Sequence, residues 1–518
     1  MLKLRMSQDN HNRILVRGVN WIGDAVMTMP ALRALKKTYP GSHIALLVKP
    51  WVAPLFEKDP SIDEIIPYTE DFGGIAGKFR LASGLGRRGF DAAYLLQNAF
   101  GAAAVAFLAG IPERIGYARD GRRLLLTNPV PFDQRAKSLH HIDYYLDLLE
   151  RSGLPVANAG TLKKMPWIYL SLDERTAARD KLRALKRPVI GLNPGAAYGS
   201  SKRWPTDRFA EVGRRIISEL RGSVVVFGGP AETGIADEIA EIIDDPFSLL
   251  NVAGKTGLRE LAALISECDA LVTNDSGPMH IGYAVGTPVA AIFGSTSPEH
   301  TGPNGFESVV VREKPDCSPC FERECKTGSL QCMELVGAED VFNAVRRFVK
   351  TKRAVFFDRD GTLCRDAHYL SRMEDFEIYP EISALKKLKD RGLLLIGITN
   401  QSGIARGLIR EDFVRQVNGI FMDSFGFDGF YYCPHHPDEK CSCRKPEPAM
   451  LYQARRDFAV DLKNSFMVGD RDPDMLLARA VGARGIFVRT GGVQTSPYAD
   501  YIAADLDEAV KIILSEQI

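Results

Sequence analysis

Residues 353–362 read Arg353-Ala354-Val355-Phe356-Phe357-Asp358-Arg359-Asp360-Gly361-Thr362. A short apolar run opens directly onto two carboxylates, a glycine and a threonine. The same punctuation recurs downstream. Leu393 to Ile398 opens onto Thr399-Asn400, and Phe466 to Val468 opens onto Gly469-Asp470. Short apolar runs separated by helical patterns predict parallel strands in a wound sheet. Polar residues at the ends of such strands are where open α/β sheets place their ligands.

Working back toward the start, the pattern appears twice more. Arg13 to Val16 is followed by the turn Gly18-Val19-Asn20-Trp21-Ile22-Gly23-Asp24. A helix is then expected over Ala25 to Tyr39, carried by Val26, Met29, Leu32 and Leu35 and closed by Pro40-Gly41. Further apolar runs at His43 to Val48, Ile65-Ile66, Ala92 to Leu96 and Leu124 to Leu126 read as strands. After Pro188 the pattern restarts. Val189 to Leu192 leads into Asn193-Pro194-Gly195, Ser223 to Phe227 into Gly228-Gly229-Pro230, and Ala270 to Thr273 into Asn274-Asp275-Ser276-Gly277. The expectation is three α/β bodies: 1–170, 171–350 and 352–518, with a linker within Pro155 to Arg187. A chain of 518 residues is too long for one core.

Bulk composition narrows the function classes. Hydrophobic content of 45% and charged content of 25% are ordinary for a soluble globular protein. The net charge of +1 supplies no global field for nucleic acid. The start, Met1 to Arg13, lacks a leader-like apolar core, and the longest apolar stretches, such as Ala102 to Ile111, are too short to span a bilayer. A cytoplasmic protein is expected. In a reducing compartment the nine cysteines, several of them clustered, suggest metal sites more than disulfides.

In the last body, Asp358 and Asp360 sit two apart past a strand, so extended geometry would aim both to one side. With Asp470 they can hold a hard cation such as Mg²⁺. A carboxylate can also attack phosphorus, and a second one can protonate the leaving oxygen and then activate water. Thr399 and Lys445 would supply a donor and a cation for the phosphoryl oxygens. This order, Asp-x-Asp-x-Thr, a Thr, a Lys and Gly-Asp-x-x-x-Asp, resembles the haloacid dehalogenase (HAD) superfamily. The resemblance implies that Asp358 is the nucleophile, Asp360 the acid/base and Asp470 a magnesium ligand, with Asp358 and Asp360 completing that site. Asp474 completes the last motif, as a helix cap or an ion-pair partner.

Cys433-Pro434-His435-His436, then Cys441-Ser442-Cys443, has the composition and spacing of a Cys₃His zinc site, with His436 a neighbour rather than a ligand. Arg444 and Lys445 follow directly, so a structural Zn²⁺ would fix the loop that presents them to substrate. The stretches 357–362, 399–407 (Thr399-Asn400 through Arg406-Gly407) and 432–437 resemble the heptose-1,7-bisphosphate 7-phosphatases. The short loop between His435 and Cys441 also resembles the histidinol-phosphatases, so the choice of sugar bisphosphate leans on the neighbouring domain.

Upstream, no Gly-x-Gly-x-x-Gly follows the first strand, which counts against a dinucleotide oxidoreductase. No Asp-x-Asp precedes residue 358, so a metal-chelated diphosphate is not supported. Backbone amides, helix N-termini and basic side chains must then bind a diphosphate. Asn193 to Ala196, Ser201-Lys202-Arg203-Trp204-Pro205 and Thr273 to His280 offer those parts. With 19–24 and 107–112 they resemble the lipopolysaccharide heptosyltransferases of glycosyltransferase family 9, heptosyltransferase II above all. The resemblance implies a two-lobed, Rossmann-like GT-B fold, α/β throughout. Asp24 would be the base of an inverting transfer, with a helix N-cap as its plainer role. Lys202 would bind the diphosphate, and Asp275, Ser276, Gly277 and His280 would line the donor site. Glu232 could contact a ribose. The donor would be a nucleotide-heptose, ADP-heptose by preference, and the acceptor the lipid A-core. No metal is expected there.

Arg87, Arg88, Arg119, Arg122, Arg123, Arg135 and Lys137 bias the first lobe toward positive charge. This suits either an anionic acceptor with peripheral contact at the inner membrane, or a solvated face. Cys317, Cys320, Cys325 and Cys332 are spaced for a Cys₄ metal site, with buried free thiols the alternative. Taken together, a bifunctional lipopolysaccharide enzyme is expected. Its rivals are a histidinol-phosphatase-like domain fused to another family 9 transferase, and a non-catalytic assembly scaffold.

Overall fold

The computed structural model describes residues 11–155, 164–350 and 352–516. Residues 156–163, within the stretch read as a linker, and residues 1–10, read for a leader, lie outside the described residues. The chain divides into two compact units, Met1–Phe348 and Val349–Ile518.

The first unit holds two six-stranded parallel sheets. Strands β1 (Arg13–Arg17), β2 (His43–Val48), β3 (Glu64–Pro67), β4 (Ala92–Leu95), β5 (Glu113–Tyr117) and β6 (Asn128–Val130) lie in the order β3-β2-β1-β4-β5-β6. Strands β7 (Val189–Asn193), β8 (Ser223–Val226), β9 (Leu249–Asn251), β10 (Ala270–Asn274), β11 (Val289–Phe293) and β12 (Ser308–Arg312) lie in the order β12-β11-β10-β7-β8-β9. The second unit has β13 (Ala354–Phe357), β14 (Leu394–Asn400), β15 (Gly429–Cys433), β16 (Phe466–Gly469), β17 (Arg484–Val488) and β18 (Tyr501–Ala503), in the order β15-β14-β13-β16-β17-β18.

Numbered within its own sheet, each reads 3-2-1-4-5-6. The chain starts in the middle, winds outward twice, returns and winds the other way. Every sheet therefore has a switch point between its first and fourth strands: β1/β4, β7/β10 and β13/β16. Loops leaving those two strands diverge and leave a crevice at the carboxyl ends. The central strands are uniformly apolar because both faces are covered: Ala354, Val355, Phe356 and Phe357 are all buried, as are Ile190 and Leu192.

Two sequence expectations differ from the structure. The first helix spans Ile22–Thr38, so Gly23 and Asp24 lie in its first turn instead of before it. Trp21 is the N-cap, and no side chain caps this helix, so Asp24 is not the cap. The Leu124 to Leu126 run is not a strand. A 3₁₀ turn covers Arg122–Leu125 and Leu124 is 91% exposed, so its apolarity has no core to serve. Among the described residues, no helix is long and apolar enough to cross a membrane.

Candidate functional sites

At the β13/β16 switch point, three carboxylates converge. Oxygens of Asp358, Asp470 and Asp474 all lie within 4.8 Å of one another, and all three residues are buried. Lys445 is the single cation among them. Its Nζ lies 2.8 Å from Asp358 Oδ1 and 2.6 Å from Asp474 Oδ1, and donates to the Ile398 carbonyl at 3.1 Å. Burial lifts the Asp358 carboxyl well above the usual range, against the pull of Lys445. Burial and the neighbouring Asp474 push Asp470 up to about 6. Burial alone would depress the Lys445 ammonium, but Asp358 and Asp474 hold it above its ordinary value.

Asp470 Oδ2 is buried and accepts no hydrogen bond; the Arg471 guanidinium is 3.5 Å away. A Cβ on Gly491 would stand 1.8 Å from that oxygen and one on Gly361 2.5 Å, and Gly361 has φ +86°. The two glycines thus wall in a carboxylate oxygen left without a donor. An orphaned buried carboxylate beside two others is a donor set that fits a hard divalent cation.

Asp360 is not part of that group. The chain bends at Arg359, so the alternation expected for an extended Asp-x-Asp is lost. The buried Arg359 guanidinium takes both Asp360 oxygens at 2.9–3.2 Å, and Gln401 Nε2 donates to Oδ2 at 2.7 Å. The carboxylate pointed instead at the cluster is Asp474. It serves both roles foreseen for it: Oδ2 accepts from the Arg471 amide at 3.2 Å at the head of helix Asp472–Val481, and Oδ1 meets Lys445.

Asp358, Asp360, Thr399, Asn400, Arg444 and Lys445 all line one cavity of about 390 Å³. Thr399 Oγ1 accepts from Gln401 Nε2 at 2.9 Å. Asn400 latches Lys445 through both its amide atoms, accepting from the Lys445 N–H at 3.1 Å and donating to its carbonyl at 3.4 Å. Arg444 Nη1 is buried and donates no hydrogen bond, so a donor is held ready for an acceptor.

The loop that carries Arg444 and Lys445 is pinned by Cys433, His435, Cys441 and Cys443, whose ligand atoms lie within 4.8 Å of one another. The sulfurs are 3.4–3.5 Å apart, and His435 Nδ1 is 3.1 Å from Cys443 Sγ. Bonds of about 2.0–2.3 Å from one centre would span these separations, so the set fits a tetrahedral Zn²⁺. Cys433 ends β15 and the other three ligands follow within ten residues, so sheet and loop are joined there. His436 is no member of this group; its ring caps the turn Pro437–Glu439.

In the first unit, Asp24 lines a cavity of about 380 Å³ with Asn20, Gln97, Arg119, Lys137 and His141. His141 Nδ1 lies 3.1 Å from Asp24 Oδ1. The helix dipole favours the carboxylate in this first turn. His141 could not be tied to Asp24 from sequence, since 117 residues separate them.

The β7/β10 crevice holds the other predicted residues. Lys202 Nζ lies 2.5 Å from Asp275 Oδ2, which also accepts from Thr296 Oγ1 at 2.6 Å. Asn193 Nδ2 donates to Ser276 Oγ at 3.2 Å, and Asn274 Nδ2 to the Pro194 carbonyl at 2.7 Å, so the two strand ends are stitched together. Ser276 is the N-cap of helix Gly277–Ala284. Gly277 closes on Ile22, whose Cβ would be 3.0 Å from a Gly277 Cβ. His280 is buried. Its Nδ1 faces the Tyr283 hydroxyl at 2.9 Å, and its ring would be 2.6 Å from a Cβ on Gly23. Burial lowers its pKa to about 4, so the ring is neutral near pH 7. His280 thus joins the two lobes beneath Asp24. Glu232 folds over Gly195, and its Oε2 accepts from the Gly229 amide at 2.6 Å.

Cys317 and Cys320 are exposed, Cys325 partly so, and Cys332 is buried. Among the described residues these four do not form a close ligand group like the other two.

Comparison with known proteins matches both units. Residues 78–331 match the model of glycosyltransferase family 9 (heptosyltransferase), and 442–509 match a HAD-hydrolase-like model. The chain is 33% identical over 307 residues to lipopolysaccharide heptosyltransferase 2 of Salmonella typhimurium, covering 58% of this chain and 88% of that one. It is 43% identical over 160 residues to D-glycero-beta-D-manno-heptose-1,7-bisphosphate 7-phosphatase of Haemophilus ducreyi, covering 28% of this chain and 87% of that one. Among solved structures, ADP-heptose lps heptosyltransferase II of E. coli superposes with a TM-score of 0.56 at 30% identity, over 65% of this chain and 98% of the other.

Proposed function

This chain belongs to the family 9 heptosyltransferases through its first unit and to the heptose-1,7-bisphosphate 7-phosphatases through its second, and from that premise we propose the two reactions it performs. The first unit transfers heptose from a nucleotide-heptose, ADP-heptose by preference, to the lipid A-core with inversion. The second hydrolyses the 7-phosphate of D-glycero-D-manno-heptose 1,7-bisphosphate. The observation that carries the phosphatase reading is the buried group of Asp358, Asp470 and Asp474 around one lysine.

In the phosphatase, an Asp358 oxygen attacks phosphorus and the bond from phosphorus to O7 breaks, leaving an aspartyl phosphate. The departing oxygen takes a proton from Asp360, which must turn from Arg359 and Gln401 toward the cavity it already lines. Asp360 then removes a proton from water, whose oxygen attacks phosphorus and releases phosphate and the free Asp358 carboxylate. Thr399 and Lys445 bind phosphoryl oxygens, and Arg444 offers its unpaired N–H to the rest of the substrate. Magnesium held by Asp358 and Asp470 would neutralise charge building on the transferring group. Cys433, His435, Cys441 and Cys443 would hold a structural zinc, which would keep Arg444 and Lys445 in place.

In the transferase, Asp24 accepts the proton of the acceptor hydroxyl as its oxygen attacks the anomeric carbon and the nucleoside diphosphate leaves. Lys202, aided by the amides at the head of helix Gly277–Ala284, meets the diphosphate charge. Asp275 and Ser276 hold that end of the crevice, while His280 fixes Gly23 and hence the turn carrying Asp24.

The test is phosphate release with Mg²⁺ from heptose 1,7-bisphosphate and histidinol phosphate in parallel, with Asp358→Asn as control. Preference for the bisphosphate, abolished in the variant, is the expected result. Preference for histidinol phosphate would overturn the assignment. Heptose transfer from ADP- and GDP-heptose tests the other unit.

A further inference from the structure

Asp24 is the third residue of helix Ile22–Thr38. An acidic side chain at that position ordinarily reaches back to the amide of the N-cap residue. No such bond is formed here, so the carboxylate gives up that role. It lines the cavity instead and meets His141, whose Nδ1 lies 3.1 Å from Asp24 Oδ1. Among the described residues no other side chain bonds to this carboxylate. Arg119 and Lys137 line the same cavity but lie over the Phe132 ring, at 4.3 and 5.7 Å.

Stability does not account for the pair. Its side chains are 41% and 28% exposed, and an ion pair that open to water adds little to folding. The other groups around Asp24 do not duplicate it. Tyr145 and Tyr283 are buried, and burial, with Asp24 adding to it, keeps both hydroxyls protonated. Burial keeps His280 neutral, and its Nδ1 faces the Tyr283 hydroxyl.

The backbone explains why the His141 ring stands where it does. His141 opens helix His141–Arg151, which packs on the helix that carries Asp24. His140 is the N-cap, and its Nδ1 accepts from the Ile142 amide at 3.2 Å. The ring hydrogen is then on Nε2, which lies 3.0 Å from the Gly302 carbonyl and donates to it. Burial lowers the His140 pKa, which favours this neutral form. Gly302 belongs to the second lobe, so the start of this helix is tied to both lobes.

We propose that His141 is a positioning residue of the transferase. Its Nδ1–H donates to Asp24 Oδ1 and thereby turns Oδ2 toward the acceptor hydroxyl. As the hydroxyl oxygen bonds to the anomeric carbon and the nucleoside diphosphate leaves, the hydroxyl proton passes to Oδ2. Nδ1 keeps its own proton, so His141 acts on the reaction only through the carboxylate. The inference rests on the reading of Asp24 as the base.

The experiment measures heptose transfer by the full chain from ADP-heptose to a deacylated lipid A-core acceptor. His141→Ala should lower kcat by about thirtyfold and leave both KM values within about twofold, because orientation is lost and binding is not. His141→Asn places an amide N–H near the position of Nδ1 and should bring kcat back to within about fivefold of wild type. Asp24→Asn should lower kcat by more than His141→Ala does. Adding His141→Ala to Asp24→Asn should then cost no more than about another twofold, since the carboxylate it positions is gone. Equal losses in the Ala and Asn variants would overturn the proposal. So would a loss in the Asp24→Asn background as large as in wild type, or a raised acceptor KM with kcat unchanged, which would make His141 a binding residue. If the His141 variants transfer normally while Asp24→Asn does not, the proposal fails and the base reading stands. If Asp24→Asn transfers at the wild-type rate, the base reading fails and the proposal falls with it.

Discussion

Replacing Lys445 with methionine is the sharpest perturbation the phosphatase site offers. The lysine is 3% exposed at its side chain and contacts Asp358 and Asp474 at 2.8 and 2.6 Å. Methionine keeps the length and removes the charge. Three carboxylates within 4.8 Å then stand with no central cation. At an effective dielectric of about 20, two unit charges at that separation repel by roughly 3 kcal/mol. Breaking a buried pair from one side costs about 3–5 kcal/mol, much of it avoided if a carboxylate takes up a proton. Asp358, already raised by burial, is the one to do so, and a protonated Asp358 is no nucleophile. Phosphate release at pH 7 should therefore fall by about a thousandfold, and the acidic limb of the kcat/KM profile should move to higher pH. The second unit should unfold earlier, by an amount corresponding to about 3 kcal/mol. The double variant Lys445→Met, Asp474→Asn removes one charge of each sign and should regain about 2 kcal/mol over the single variant, without regaining activity. Differential scanning calorimetry and a phosphate-release assay read both quantities. If the double variant is less stable than the single one, the balance of charge is not what holds this cluster, and the reasoning fails.

Other predictions concern the remaining features. Asp24→Asn should lower heptose transfer by about a hundredfold to ten-thousandfold with phosphatase turnover unchanged, and transfer near wild-type rate would remove Asp24 as the base. Cys441→Ser should abolish stoichiometric zinc by elemental analysis and lower the midpoint of the second unit, while the heptose transfer rate holds. His280, at about 4 in the folded protein against 6.5 when free, is a base the native state keeps neutral. The unfolded chain binds the extra proton between those values, so its contribution is complete above pH 6.5 and is lost as pH falls toward 4. That loss amounts to roughly 3 kcal/mol. The first unit should melt progressively earlier over that window, and His280→Gln should flatten the slope; an unchanged slope would show that other groups set it.

How much of this was legible in the chain depends on the range of the contact involved. The apolar runs ending in Asn193, Asn274, Asp358 and Asp470 were readable, because a central parallel strand is buried on both faces and must be apolar throughout. The cluster of Cys433, His435, Cys441 and Cys443 was readable because its members lie within eleven residues. Edge strands such as β9 and β18 are not legible, since three residues are too few to carry a period. Asp360 departs from extended alternation because the chain bends at Arg359, whose guanidinium claims its carboxylate. Leu124 misled for the opposite reason: an apolar run was read as a strand although its side chain faces outward. Gln401 directly follows β14, yet nothing local in the sequence says that its amide would cross to Asp360.

The three sheets share one winding, so the difference between the sites cannot come from topology. It comes from what stands at the ends of the first and fourth strands. At β7 and β10 the strand-end residues are uncharged: Asn193 donates to Ser276 and Asn274 to the Pro194 carbonyl, and Lys202 there is matched by Asp275. On the proposed reading, a diphosphate arriving there would meet neutral donors, a helix N-terminus and a lysine that can exchange one anionic partner for another. At β13 and β16 the strand ends carry Asp358 and Asp470, and Asp474 joins them from the following helix, with Lys445 between Asp358 and Asp474 and Arg471 3.5 Å from Asp470. That site has surplus negative charge and an oxygen without a donor, which a divalent cation would relieve before a phosphate could enter. The same winding thus carries asparagines at the ends of β7 and β10 and aspartates just past the ends of β13 and β16, which suits the two proposed reactions. Asn193→Asp together with Asn274→Asp should therefore repel the donor and raise its KM, without creating any phosphatase in the first unit, because Lys202 there is already matched by Asp275.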